Sequence, residues 1–151
     1  FILTHAETDH LLTYPDESTI TAAEEGTYLK DKAESPNEAE LLAVVDGVVA
    51  GTAGFSAVGS AYKLQHRAEF GISLARAYWG LGIGQALTAA CIDCARKAGY
   101  TQLELDVVAD NASAIALYKK FGFTEYGRNP QGFRLRSGGY QELVLMRLGL
   151  S

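Results

Sequence analysis

Asn111-Ala112-Ser113-Ala114-Ile115-Ala116-Leu117-Tyr118-Lys119-Lys120-Phe121-Gly122-Phe123 is a helix written with both of its ends. Asn111 carries a side-chain oxygen that can accept from the free backbone N–H groups of a first turn. No glycine or proline follows until Gly122, which tolerates the left-handed stop, and Phe123 then opens a strand running to Tyr126. The pattern upstream is complementary. Leu103 to Val108 sets Leu103, Leu105 and Val107 against Glu104, Asp106 and Val108, the alternation of a strand with one apolar face. Before it, Ile83, Leu87, Ala90, Cys91, Cys94 and Ala98 recur at helical spacing, and Gly99 supplies the stop.

Further out, the apolar runs Leu41–Val45 and Val48–Phe55 flank Asp46-Gly47, whose residues both tolerate positive φ, and so predict a hairpin. Glu69 to Leu74 reads as a strand with Phe70, Ile72 and Leu74 on one face and Glu69, Gly71 and Ser73 on the other. Glu142 to Leu148 closes the chain as a strand. At the front, Phe1 to Tyr14 reads as the end of a helix, and Thr21-Ala22-Ala23-Glu24 matches a capping box for a helix to Ala33. No strand is legible ahead of His5, so an abrupt start with an earlier element missing is expected. This order predicts a single domain over residues 1–151 of mixed α/β (α+β) class, a sheet covered by helices.

Composition limits the function. The 151 residues are 48% hydrophobic with a formal charge of −5. Residues 1–40 hold ten acids and two bases, which leaves the remainder near +3. That balance argues against a nucleic-acid partner. With no long apolar run and no basic, cleavable leader, membrane and secretory readings fail, and a cytoplasmic protein is expected. Cys91 and Cys94 form a C-x-x-C inside a helical pattern with no second ligand pair, which reads as two reduced core residues and no metal.

The turn Trp79-Gly80-Leu81-Gly82-Ile83-Gly84 leads into the helix from Ile83. Such a turn leaves several backbone N–H groups aimed at one spot, where the helix dipole also favours a phosphate. A dinucleotide loop is the rival, with Glu104 as the ribose acid. Neither register completes G-x-G-x-x-G, because Leu87 or Gln85 stands at the last glycine. A P-loop lacks its Gly-Lys-Ser/Thr.

With Gly82 and Gly84 at the head of a helix and N-x-x-A-x-x-L-Y-x-K-x-G-F over Asn111 to Phe123, the sequence resembles the GNAT acetyltransferases. Asp46-Gly47-Val48-Val49-Ala50-Gly51 is similar to the family's hairpin before the acetyl-CoA strand. The resemblance covers roughly residues 40–148. It implies a mostly antiparallel mixed sheet with helices on both faces, and with Glu69–Leu74 splayed from Leu103–Val108 so that pantetheine enters the gap. Ile72, Ser73 and Leu74 would then bind pantetheine, and Gly80, Leu81, Gly82, Ile83, Gly84 and Gln85 the pyrophosphate. Trp79 departs from the family pattern, which has Gln or Arg at this position. Asn111 would cap its helix, touch the pantetheine arm, or both. Tyr118 corresponds to the tyrosine that protonates the departing thiolate in many members, and its alternative is a packing aromatic.

The resemblance also implies transfer of an acetyl group from acetyl-CoA to a primary amine by direct attack in a ternary complex. The base would be a carboxylate: Glu69 first, then Asp106, with Glu104 on the same face but further from the strand's end. The acceptor is left open between a small amine and a protein N-terminus, its choice lying near Gly59–His66 and Asn129–Gly139. Pairing of two copies through Tyr140 to Leu148 is expected by analogy. A non-catalytic CoA-binding module and a dinucleotide-dependent oxidoreductase are the other readings.

Overall fold

The computed structural model describes residues 37–150. The helices expected over Phe1–Tyr14 and from Thr21 to Ala33 lie outside the described residues, as does the expected missing strand. Strands β1 (Ala39–Val45) and β2 (Val48–Ala57) form the hairpin, with Asp46 at φ 49° and Gly47 at φ 78°. Both positive angles are those of the tight turn that matches strand twist. β3 (Arg67–Leu74) follows, then α1 (Ile83–Lys97), β4 (Gln102–Val108), α2 (Ala112–Lys120), β5 (Thr124–Arg134) and β6 (Tyr140–Gly149).

The six strands lie in the order β1-β2-β3-β4-β6-β5. Every neighbouring pair is antiparallel except β3 and β4. That parallel pair needs a crossover, which α1 supplies. Its register is short: Arg67↔Gln102, Ala68↔Leu103 and Glu69↔Glu104. Both strands then continue without pairing to each other, so they splay from Phe70 and Leu105 onward. The mixed, mostly antiparallel sheet with a splayed pair matches the expected fold.

Both described helices cover one face of the sheet. Leu87, Cys91, Ile92 and Ala95 of α1 and Tyr118 of α2 pack with Phe55, Phe70, Leu103, Leu105, Val107, Val144 and Met146. Burying such side chains contributes about 1.5–3 kcal/mol each. Ala90, placed by spacing on the buried stripe, is exposed. Its place is taken by Thr88, fully buried, whose hydroxyl is satisfied by the Gly84 carbonyl at 2.7 Å. Cys91 is buried and both cysteines are free. Loss of hydration raises the Cys91 thiol to about 12, a value that suits an inert core residue.

The stretch Asn129–Gly139, expected as a loop that chooses the acceptor, is strand as far as Arg134. β5 runs on to Arg134, losing register between Asn129 and Phe133. Pro130 has no N–H for a ladder, so it falls at a break on an edge strand. β6 is hydrogen-bonded on both sides, by β4 and β5. The expected pairing of copies through Tyr140–Leu148 therefore finds no free strand edge there; the outer edge belongs to β5.

Candidate active site

The end of the β3–β4 ladder organises the site. Glu69 and Glu104 form its last pair, so their side chains share the face opposite the described helices. Asp106 is the next residue of β4 on that face, at the root of the cleft. Phe70, the first residue of β3 beyond its ladder with β4, points to the other face and meets the Tyr118 ring edge-on, with centroids 6.0 Å apart. The acids and the tyrosine chosen from sequence are thus gathered around one vertex, from opposite faces.

The three carboxylates are not equivalent. Glu104 is buried and held by Arg67: Nε donates to Oε2, and Nη2 donates to Oε1 at 2.7 Å. Gln102 Nε2 adds a bond at 2.7 Å. The hydrogen bond from Arg67, assisted by that from Gln102, holds Glu104 below the usual carboxylate range. Asp106 moves the opposite way. Although it reaches solvent, surrounding protein removes part of its hydration and the negative Glu104 opposes its charge, so its pKa is raised. Glu69 is exposed at the vertex.

Tyr118 is 7% exposed and packs against Phe123 as well as Phe70. Desolvation raises its phenol to about 12. No hydrogen bond to its hydroxyl exists among the described residues. Packing and a free hydroxyl therefore coexist in one side chain. Asn111 caps α2 through Oδ1, which accepts from Ala114 N–H at 3.3 Å.

The cleft wall on the β3 side follows from strand alternation. Ala75 N–H bonds to the Ala50 carbonyl across β2 at 2.9 Å. Amide directions alternate along an antiparallel strand, so the N–H groups of Leu74 and Ile72 face away from β2, into the gap. Ser73 Oγ is buried with no hydrogen-bond partner, a donor that a ligand could satisfy. Beyond β3, Gly80 and Gly82 adopt φ 75° and 82°. A Cβ built at either would meet nothing within 4 Å, so the turn opens outward. Ala86 N–H makes the first bond of α1, to Gly82. The amides of Ile83, Gly84 and Gln85 precede it, an arrangement that favours an anion. This first turn lies beside α2, with Leu117 3.6 Å from the place of a Gly84 Cβ and Lys120 Nζ bonded to Gln85 at 3.1 Å.

Trp79, standing where the resemblance expects Gln or Arg, donates from Nε1 to the Leu74 carbonyl at 2.8 Å, and Arg76 lies 5.5 Å from its ring centre. This tie and the Arg67–Glu104 pair escaped the sequence reading. Alternation placed Glu104 on the right face, but its partner depends on a cross-strand register that no local pattern records. No group able to hold a metal ion occurs among the described residues.

The model of the Acetyltransferase (GNAT) family matches residues 4–123. The chain belongs to the GNAT acetyltransferase family. It is 33% identical over 115 residues to the L-amino acid N-acetyltransferase AaaT of Escherichia coli (strain K12), covering 76% of this chain and 70% of that protein. The acetyltransferase of GNAT family from Streptococcus pneumoniae has TM-score 0.92 at 28% identity, over 97% of this chain and 88% of that one. The yncA protein of Salmonella typhimurium, solved with acetyl-CoA, shares the fold at TM-score 0.87 and 23% identity, over 99% and 84%. As a GNAT member the chain is an acyltransferase.

Proposed function

We propose that this GNAT chain transfers the acetyl group of acetyl-CoA to a primary amine by direct attack within a ternary complex. The observation that carries the reading is the β3–β4 splay, with an anion-ready glycine turn at one end and Tyr118 and two carboxylates at its vertex. Amides of Gly80 to Gln85 receive the pyrophosphate. The pantetheine arm bonds along Ile72, Ser73 and Leu74, the Ser73 hydroxyl gaining the partner it lacks, and Asn111 adds a contact from the α2 cap.

An ammonium acceptor first gives a proton to Asp106, whose raised pKa suits it to accept one, with Glu69 as a second acid holding the cation. The neutral amine attacks the thioester carbon while a β3 amide near Leu74 stabilises the oxyanion. Collapse breaks the C–S bond, and the nitrogen releases its remaining extra proton to the carboxylates or water. At about 12 the Tyr118 phenol is a weaker acid than an ordinary thiol near roughly 8.5. Its hydroxyl therefore serves the departing thiolate as a hydrogen-bond donor, and the sulfur is left protonated from the solvent pool. No covalent enzyme intermediate or metal enters.

Two free cysteines, one of them buried, suit a reducing compartment such as the cytoplasm. Among the described residues no helix is long and apolar enough to cross a membrane. The test is CoA thiol release from acetyl-CoA across amino acids, polyamines and N-terminal peptides. Binding of acetyl-CoA without thioester consumption on every amine would leave a CoA-binding module instead.

A further inference from the structure

Tyr126 stands out on the carboxylate face. β5 pairs with β6 at Thr124↔Arg147 and Glu125↔Met146, then at Gly127↔Leu145, so Tyr126 is the extra residue of a bulge. A bulge re-aims a side chain. Across the sheet, Asp106, Leu145 and Gly127 form one row, and Glu104, Arg147 and Thr124 form the next. Tyr126 is inserted between these rows on β5. Adjacent strands lie about 4.8 Å apart, so a side chain of this length crosses β6 toward β4. The charges of Glu104, Asp106, Arg67 and Arg147 all act on its hydroxyl, which locates the ring beside the vertex. It remains 51% exposed.

The surroundings give that ring a use. Gly127 brings no side chain to its row, where a Cβ would touch Leu145 Cδ1 at 3.5 Å, so no β5 side chain of that row covers Leu145, which pairs with Asp106. On the next row, the backbone of Gly132 lies so close to Leu143 that a Cβ there would fall 2.3 Å from Leu143 Cγ. The β5 excursion thus walls the same face. Arg67 and Arg147 border the patch with positive charge, Arg147 contacting Gln102 Oε1 at 3.4 Å.

We infer that Tyr126 is a specificity-determining residue of the acceptor subsite, where its ring packs on an apolar group carried next to the amine that Asp106 receives. The inference rests on the acetyl-transfer reading above. An acid for the reacting nitrogen and an apolar floor beside it favour amines that carry an apolar side chain next to the nitrogen over polyamines, which bring no such group to the Tyr126 ring.

The experiment compares the full chain with Tyr126→Ala and Tyr126→Phe, using acetyl-CoA with L-phenylalanine, L-leucine, glycine and spermidine, and following CoA release. L-phenylalanine and L-leucine are expected to exceed glycine and spermidine in kcat/KM. Tyr126→Ala should raise KM for the two apolar amino acids tenfold or more, with KM for acetyl-CoA within twofold and the glycine rate little changed. Tyr126→Phe should stay within threefold of the parent throughout. An unchanged ratio of L-phenylalanine to glycine in Tyr126→Ala overturns the assignment, as does an equal rise in KM for acetyl-CoA. Direct calorimetric titration with acetyl-CoA separates the two levels. Binding and turnover with an unaltered ratio remove Tyr126 alone, whereas binding without turnover on any amine removes the transfer reading and this inference together.

Discussion

The indole N–H of Trp79 is bonded to the carbonyl of Leu74 at 2.8 Å, which fastens the glycine turn to the strand bordering the cleft. The residue that departs from the family pattern thus acts as a strut between the two segments expected to hold the donor. Its position matters more than its charge.

Trp79→Phe keeps a ring and deletes the donor. An exposed hydrogen bond of this kind contributes about 0.5–1.5 kcal/mol. Calorimetric titration should show acetyl-CoA binding weakened about three- to tenfold, with thermal stability nearly unchanged. Unaltered affinity would dissociate the strut from donor binding.

Tyr118→Phe preserves the contacts with Phe70 and Phe123 and removes only the hydroxyl. Loss of one hydrogen bond to the departing thiolate should lower turnover by about 10²-fold, while the acetyl-CoA Kd stays within twofold and the melting temperature is held. A loss of stability with unchanged turnover would restrict Tyr118 to packing.

Asp106→Asn should lower kcat/KM and abolish the acidic limb of its pH profile. The sign follows from the raised pKa: a base works only when deprotonated, so activity rises with pH through that value and levels off above it. Glu69→Gln should weaken acceptor binding and retain the limb. The reverse pattern would transfer the base to Glu69.

Glu104→Gln leaves the Arg67 guanidinium with a neutral partner. Because the folded chain holds Glu104 below its ordinary value, the ion pair's contribution is complete above roughly pH 4.3 and is lost as pH falls through the folded value. The variant should melt about 5 °C lower at neutral pH, and the difference should shrink in acid. A constant gap across pH would mean the loss is one of shape rather than charge.

Local chemistry explains which parts were legible. The Asp46-Gly47 turn, the Asn111 cap and the Gly122 stop each satisfy nearby backbone groups, so their residues announce them. Alternation likewise put Glu104 and Asp106 on one face of their strand, and the register then set Glu69 beside Glu104. What distinguishes these acids was hidden, since the guanidinium that claims Glu104 comes from a strand 37 positions earlier. The bulge that frees Tyr126 is a property of two strands together. Trp79 looked like a missing polar contact because its bond to Leu74 depends on how the turn folds back.

The brief β3–β4 ladder has a mechanical meaning. On either side of it stands an antiparallel triplet, β1-β2-β3 and β4-β6-β5, each knit along its own length. Three residue pairs join them, clamped by Arg67 and Glu104 on one face and by Phe70, Tyr118 and Phe123 on the other. The sheet is therefore a clip with a short, stiff joint and two open jaws. Under the proposed reading, the pantetheine amides take the place of the absent rungs, and the arm binds as a fragment of strand.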